Sequence, residues 1–205
     1  MGEHGVVSAR APDGADDFAR LSLIAAPAYL PALYANKHER VHRSMFRYRN
    51  NLMGFAHTHF MQIDGKNAGM IVAYDWVANK KEQTKTTLLI LRYMGLKFFK
   101  QMRHLQWAGE NLGRLDDGTY YIAILGFYEG FRNKGLGVEM LNFTQEQAKK
   151  AGATRLDVDA ETYNVDAIRF YKRFGMHEVG ELKRATIGGK LFEFVRLSKD
   201  ISAAA

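Results

Sequence analysis

Cysteine is missing from all 205 positions. Its absence excludes a disulfide-stapled scaffold, a zinc–thiolate centre and a cysteine nucleophile, and it fits a reducing compartment. Proline is nearly as scarce: there are three, and two of them, Pro27 and Pro31, interrupt the longest stretch without charge. That stretch, Leu21 to Asn36, is 16 residues long, short of the ~20 apolar residues that span a bilayer. The segment ahead of it carries Glu3, Asp13, Asp16 and Asp17, where a secretory leader needs a basic start. A cytoplasmic chain with no membrane partner is expected. A block of one charge is lacking too: 29 basic and 22 acidic residues leave a net +7, spread along the chain. Such a surplus concentrates anionic small molecules near the surface. It forms no nucleic-acid footprint, so no nucleic-acid partner is expected. Internal repeats are absent, and the one low-complexity tract is Ala203-Ala204-Ala205.

What is present suits a folded chain, with 47% hydrophobic, 25% charged and 12% aromatic residues. One domain over residues 1–205 is expected, long enough to bury roughly 70% of its unfolded surface. Val6 to Ala9 reads as a strand. Pro12 and Asp13 open a helix that Pro27 and Pro31 break into pieces. Phe55–Ile63 and Ala68–Val77 read as strands, and the Asp64-Gly65 between them is a strong hairpin signal. Lys80 to Gly109 is predicted to be an inserted helix, because Leu88, Leu91, Gly95, Phe98, Met102 and Leu105 recur at helical spacing. Ile90, Tyr93, Met94, Phe99 and Trp107 lie off that stripe, so the helix is covered on several sides. Core packing, a pocket wall and the contact of a homodimer are all uses for such a face.

In the second half, Thr119–Phe127 is a strand apolar on both faces, hence internal to a sheet. Gly135–Ala151 is a helix closed by Gly152, and Arg155–Ala160 alternates as a strand. Asn164 caps a short helix with Ala167, Tyr171 and Phe174 on its inner face, and Gly175 ends it. Strands near His177–Leu182 and Leu191–Leu197 meet at Gly188-Gly189. The order predicts an α/β mixed sheet with a right-handed parallel crossover.

The chemistry gathers between Phe127 and Val138, where a strand enters a loop with Arg132, Lys134, Gly135 and Gly137 and leaves as a helix N-terminus. First-turn amides lack intrahelical partners and the helix dipole favours negative charge, so the loop suits an anion. A dinucleotide fingerprint needs glycine where Met140 stands, and no P-loop string exists. Taken alone, the glycines fit a tight turn equally well.

The loop string Arg132-Asn133-Lys134-Gly135-Leu136-Gly137 is followed downstream by Asn164, Ala167, Tyr171 and Gly175 in an N-x-x-A-x-x-x-Y-x-x-x-G helix. With Phe131 and Leu125-Gly126-Phe127, this resembles the GNAT family of N-acetyltransferases from Tyr120 to Leu197. The resemblance implies a mixed, mostly antiparallel central sheet with a splayed parallel strand pair, flanked by helices. It implies acetyl-CoA as co-substrate, no metal, and an amine-bearing acceptor that attacks the thioester directly. The pyrophosphate of acetyl-CoA would lie on the amides of Arg132, Asn133, Lys134, Gly135, Leu136, Gly137 and Val138, and Asn164 would also reach the cofactor. The pantetheine would pair with Leu125 and Phe127 as an added strand. Tyr171 matches the position that family members use to protonate or hydrogen-bond the leaving sulfur, and a hydroxyl of pKa ~10 carries its proton at neutral pH.

The general base is read from the residues themselves. Asp157, Asp159 and Glu161 share one strand face, and Glu161 lies nearest the cleft mouth. It is the candidate base; a solvated strand edge is the alternative. The acceptor site is expected from Ala25–Asn36, the hairpin, the inserted helix and Lys183–Lys190, with Tyr29, Tyr34, Tyr74, Trp76 and Tyr121 making it aromatic. A rival reading starts from His38-Glu39-Arg40-Val41-His42, an H-E-x-x-H string of zinc metallopeptidases, with His57 or His59 as third ligand. Lys37, Arg40 and Arg43 around it are adverse to a divalent cation. A non-catalytic acyl-CoA-binding protein is the third class.

Overall fold

Asp64 and Gly65 both adopt positive φ, 48° and 74°, and close a two-residue hairpin between β2 (Thr58–Ile63) and β3 (Lys66–Asp75). Two left-handed residues match the twist of the flanking strands, which is why Asp-Gly marks such a turn. The computed structural model describes residues 4–201, so the alanine tract at 203–205 lies outside the described residues. The remaining strands are β1 (His4–Ser8), β4 (Thr119–Phe127), β5 (Arg155–Glu161), β6 (His177–Ile187) and β7 (Lys190–Asp200). They form one seven-stranded sheet in the order β1-β2-β3-β4-β5-β7-β6. Every pair is antiparallel except β4 with β5.

Helices α1 (Ala15–Ala25), α2 (Tyr29–Leu33) and α3 (His38–Phe46) cover one face of the sheet, with Phe18, Leu21 and Phe46 packed on Phe60, Met70, Val72 and Ile124. Helices α6 (Leu136–Lys150) and α7 (Val165–Arg173) cover the other, where Met140, Leu141, Ala148 and Tyr171 meet Ile71, Ile122, Leu156 and Val158. Met140, Leu141, Thr144 and Ala148 form the buried stripe of α6 that a 3.6-residue period predicts, joined by Leu136, while Ala151 at the expected end of the stripe is exposed.

The expected helix over Lys80–Gly109 is two helices, α4 (Trp76–Met94) and α5 (Lys97–Asn111). Gly95 breaks it with φ of 61°, and the chain reverses so that Asn79 donates to the Gly113 carbonyl at 3.0 Å. Leu88 and Met102 on the supposed buried stripe are therefore 58% and 49% exposed. Trp76 and Val77 belong to α4 and not to β3, because Asp75 caps the helix by accepting from the Ala78 amide at 2.7 Å. Phe55–His57 is a 3₁₀ turn ahead of β2. The last two strands run longer than their alternation predicts, reaching Ile187 and Asp200. Among the described residues, no helix is long and apolar enough to cross a membrane.

Candidate active site

Strands β4 and β5 pair over four residues only, from Thr119↔Arg155 to Ile122↔Val158. Each then continues on its other partner, β4 along β3 as far as Phe127 and β5 along β7 as far as Glu161. The parting has a local cause. Opposite β3, Ile122 faces Ala73 and Ile124 faces Val72, so Ala123 is an extra residue in β4. A bulge bends its strand and raises its twist. It also switches faces: Ile122 packs on the α6 side and Ile124 on the α1 side. From Ala123 onward one edge of β4 faces a gap. The Tyr128 amide points to β3, donating to Ala68 at 3.0 Å. By alternation the backbone groups of Leu125 and Phe127 point the other way. The Phe127 carbonyl accepts there from Arg132 Nε at 3.1 Å.

Past Phe127 the loop turns on Asn133 (φ 59°) and Gly135 (φ 81°) into α6. A side chain built on Gly135 would meet open space, whereas one on Gly137 would lie 2.9 Å from the Phe170 ring. Gly137 thus lets the Phe170 ring of α7 pack closely against the start of α6. The Arg132 amide donates to Glu129 at 3.2 Å and that of Val138 to Gly135 at 3.0 Å. For the amides between them, residues 133–137, no backbone acceptor is found among the described residues. Leu136 puts its side chain into the core, and Lys134 lies 5.6 Å from the Phe131 ring centre instead of lining the groove.

That groove, about 830 Å³, runs between the loop and α7 and is lined by Phe127, Arg132, Asn133, Asn164, Phe170 and Tyr171, among others. Arg169 and Arg173 add positive charge to its wall. They stand one turn apart on α7, a spacing that the sequence carries. Asn164 is the helix cap expected of it, its Oδ1 accepting from the Ala167 amide at 3.2 Å.

A second, inner cavity of about 250 Å³ lies in the split of the sheet under α1 and α2. The groove and the cavity share Ala25, Leu125, Asn164, Ala167 and Tyr171, so they meet at the open edge of β4. Tyr171 is 6% exposed, and burial raises its pKa well above the usual tyrosine value. No described group hydrogen-bonds its hydroxyl.

The three acids of β5 do not lie on a solvated edge, because β5 is interior, between β4 and β7. Asp157 accepts from Ser198 Oγ at 2.6 Å and contacts Arg155 at 3.2 Å. Asp159 is neutralised by Arg196 at 2.6 Å and Lys183 at 3.1 Å and accepts from the Tyr121 hydroxyl at 3.0 Å. Glu161 differs. It forms no ion pair among the described residues, it is 7% exposed, and its Oε2 is buried without a hydrogen-bond partner. Burial raises its pKa, opposed by a hydrogen bond from Tyr163 and by Lys190. Both Asp159 and Glu161 line the inner cavity.

Four of the five expected aromatics, Tyr29, Tyr34, Tyr74 and Tyr121, line that cavity; Trp76 does not. Residues 183–190 do not reach it either, since they form the end of β6 and its turn. The H-E-x-x-H string is helical, but His42 is buried between Phe18 and Tyr34, with ring centres at 5.7 and 5.2 Å. His57 pairs with Glu82 at 2.8 Å, and His59 packs on Phe143. Among the described residues no three His, Cys, Asp or Glu side chains are grouped to hold a metal ion, and the metallopeptidase reading has no ligand set.

Known proteins agree with this geometry. A model of the Acetyltransferase (GNAT) family matches residues 23–176. An acetyltransferase of Agrobacterium fabrum is 32% identical over 75 residues, 37% of this chain and 53% of that one, so the match spans about half of that relative. A solved N-acetyltransferase from Staphylococcus aureus superposes with a TM-score of 0.65 at 17% identity, over 95% of this chain and 100% of that one. A putative acetyltransferase from Salmonella typhimurium, solved with its cofactor acetyl-CoA, superposes at 0.58 with 14% identity, over 98% and 96%. At those identities the two structures establish the mixed sheet with one parallel pair.

Proposed function

The chain belongs to the acetyltransferase (GNAT) family, and from that premise we propose that it transfers the acetyl group of acetyl-CoA to a primary amine by direct attack. One observation carries the reading. The open edge of β4 is the place where an anion-suited groove meets an inner cavity, with Tyr171 at the junction and Glu161 lining the inner side. A single bound thioester can then face an amine that enters from the other direction, which is the proximity direct transfer needs. The co-substrate supplies an activated acetyl group. The residues present fit it: the amides of Asn133 to Gly137 and the Arg132 side chain suit its phosphates, and the outward groups of Leu125 and Phe127 suit its amide-bearing arm.

Each remaining step belongs to a side chain. Glu161 takes the proton that the incoming ammonium sheds, and the freed nitrogen forms the new C–N bond at the thioester carbonyl. As the C–S bond breaks, Tyr171 gives its proton to the departing sulfur. The proton left on nitrogen restores the tyrosine, and Glu161 returns its own to solvent. One ammonium and one thioester yield one amide, one thiol and one proton.

Calorimetric titration with acetyl-CoA and thiol release with a panel of amines test this together. A thiol reagent sees no background, because the chain has no cysteine. Micromolar binding with amine-dependent thiol release is expected. Absence of binding would overturn the site, and binding without release for any amine would leave a binding protein in place of a transferase.

A further inference from the structure

The inner cavity holds more information than the reaction needs. None of its lining residues is lysine or arginine. Its two carboxylates are unequal, since Asp159 is spent on Arg196 and Lys183 while Glu161 is not. Glu161 is therefore the lining carboxylate that no salt bridge neutralises among the described residues; Lys190 acts on it through its charge without pairing. A site of that kind attracts a single ammonium and repels a second negative group.

Two further lining residues have buried polar atoms with no partner: the Tyr29 hydroxyl and both ring nitrogens of His42. Tyr29 is 6% exposed and His42 1%. Unpaired polar atoms this deep are costly, and a bound group that pairs them recovers the cost. Tyr29 sits close enough to Glu161 and Asp159 for their charges to act on its hydroxyl, so it belongs to the ammonium end. His42 lies edge-on to Tyr34, ring centres 5.2 Å apart, and neither carboxylate is among the groups whose charge acts on its ring. Burial holds its pKa down to about 3, so the ring is neutral at physiological pH and offers one donor and one acceptor.

Size completes the description. An apolar cavity of ~150 Å³ is filled by one benzene, and this one measures about 250 Å³ with Leu30, Leu33, Met53 and Leu112 among its walls. That is space for one ring and a short arm. Resting on the amine-acetyltransferase reading, we propose that the acceptor is a compact aryl- or cycloalkyl-alkylamine without a carboxylate, its ammonium held at Glu161 and Tyr29 and a neutral hydroxyl or amide at its far end read by His42. Peptides, polyamines and free amino acids fall outside that class, the first two by size and second charges, the last by its carboxylate.

A matched series of amines tests it on the full chain with saturating acetyl-CoA: tyramine, phenethylamine, tyrosine, spermidine and a lysine-containing peptide. The expected order in kcat/KM puts tyramine about tenfold or more above phenethylamine, since a site built to pair a hydroxyl penalises its loss. Tyrosine, spermidine and the peptide are expected at least ~100-fold below tyramine. His42→Leu should draw the tyramine-to-phenethylamine ratio toward one. Tyr29→Phe keeps the ring on Phe192 and Phe194 and should raise KM for both amines alike. A spermidine or peptide rate above that of tyramine overturns the proposal, as does a ratio unchanged in His42→Leu. If that variant fails to fold, an equal KM in Tyr29→Phe and the wild type overturns the ammonium end by itself. Failure of the broader reading looks different: tyramine binding to the CoA complex, measured by calorimetry, with no thiol release would keep the acceptor class and discard the transfer.

Discussion

Glu161 is ionised at a cost, because burial favours its neutral form and outweighs the opposing hydrogen bond from Tyr163 and the charge of Lys190. The sign follows. A carboxyl whose folded pKa is raised stabilises the fold below its unfolded value and loses that contribution as pH rises through the folded one. Activity should run the opposite way, since a base must be unprotonated; kcat/KM should climb through the raised value, above the ordinary glutamate range. Glu161→Gln is thus expected to lower kcat/KM by ~10²–10⁴-fold while keeping or raising Tm near neutral pH. A fall in Tm together with activity would make Glu161 a structural residue. Tyr171→Phe separates differently: turnover should drop by ~10²-fold or more with acetyl-CoA Kd nearly unchanged, as befits a group acting in the transition state. Equal losses in titration and turnover would mark it as packing. Residues such as Arg132, Gly135 and Tyr171 could be singled out in the sequence because strand, glycine spacing and helix cap fall in one legible string. Tyr29 stood out only as one of several aromatics and His42 only within a zinc-like string; that their polar atoms are buried without partners was not legible, because nothing local distinguishes a tyrosine that finds a partner from one that does not.

At the scale of elements, the site depends on close approaches, and two glycines show that these differ in kind. A Cβ on Gly126 would sit 2.7 Å from the Leu21 carbonyl oxygen, a backbone atom of α1. On Gly137 it would sit 2.9 Å from the rim of the Phe170 ring, a side chain on the groove wall. Gly126→Ala must lift α1 off β4 and should cost ~1–3 kcal/mol in chemical denaturation. Gly137→Ala can be relieved by turning Phe170, so its expected effect is weaker acetyl-CoA binding with a smaller loss of stability. Equal denaturation midpoints for the two variants would contradict this account. Most of the strands, and α6 with most of its buried stripe, were legible from their periods. Gly95 was not legible as a break, because it falls in register on an apolar stripe and only its φ betrays the reversal. Nor was the bulge: β4 is apolar on both faces, so an extra residue at Ala123 leaves no fault in the alternation.

Across the whole molecule, three histidines with lowered pKa tie stability to pH, and His42 is the deepest of them. Its ring is packed between Phe18 of α1 and Tyr34 at the end of α2, where an imidazolium would find no counter-charge. The unfolded chain accepts a proton on that ring near pH 6.5, whereas the folded one resists until about 3. The sign is that of a base with a depressed value: stability is complete above the unfolded pKa and drains away as pH falls from there toward the folded one. One such group contributes a slope of ~1.4 kcal/mol per pH unit. His38 and His59 pull in the same direction, and Glu161, which gains a proton more readily folded than unfolded, pulls against them. Denaturation midpoints taken from pH 7 to 4.5 should therefore fall, and His42→Leu should flatten the fall by about one proton's worth even if it lowers the plateau. Glu161→Gln should steepen it, because the opposing term is removed. A profile of unchanged slope in His42→Leu would place the imidazole in water, and with it would go the far wall that the acceptor's hydroxyl is proposed to meet.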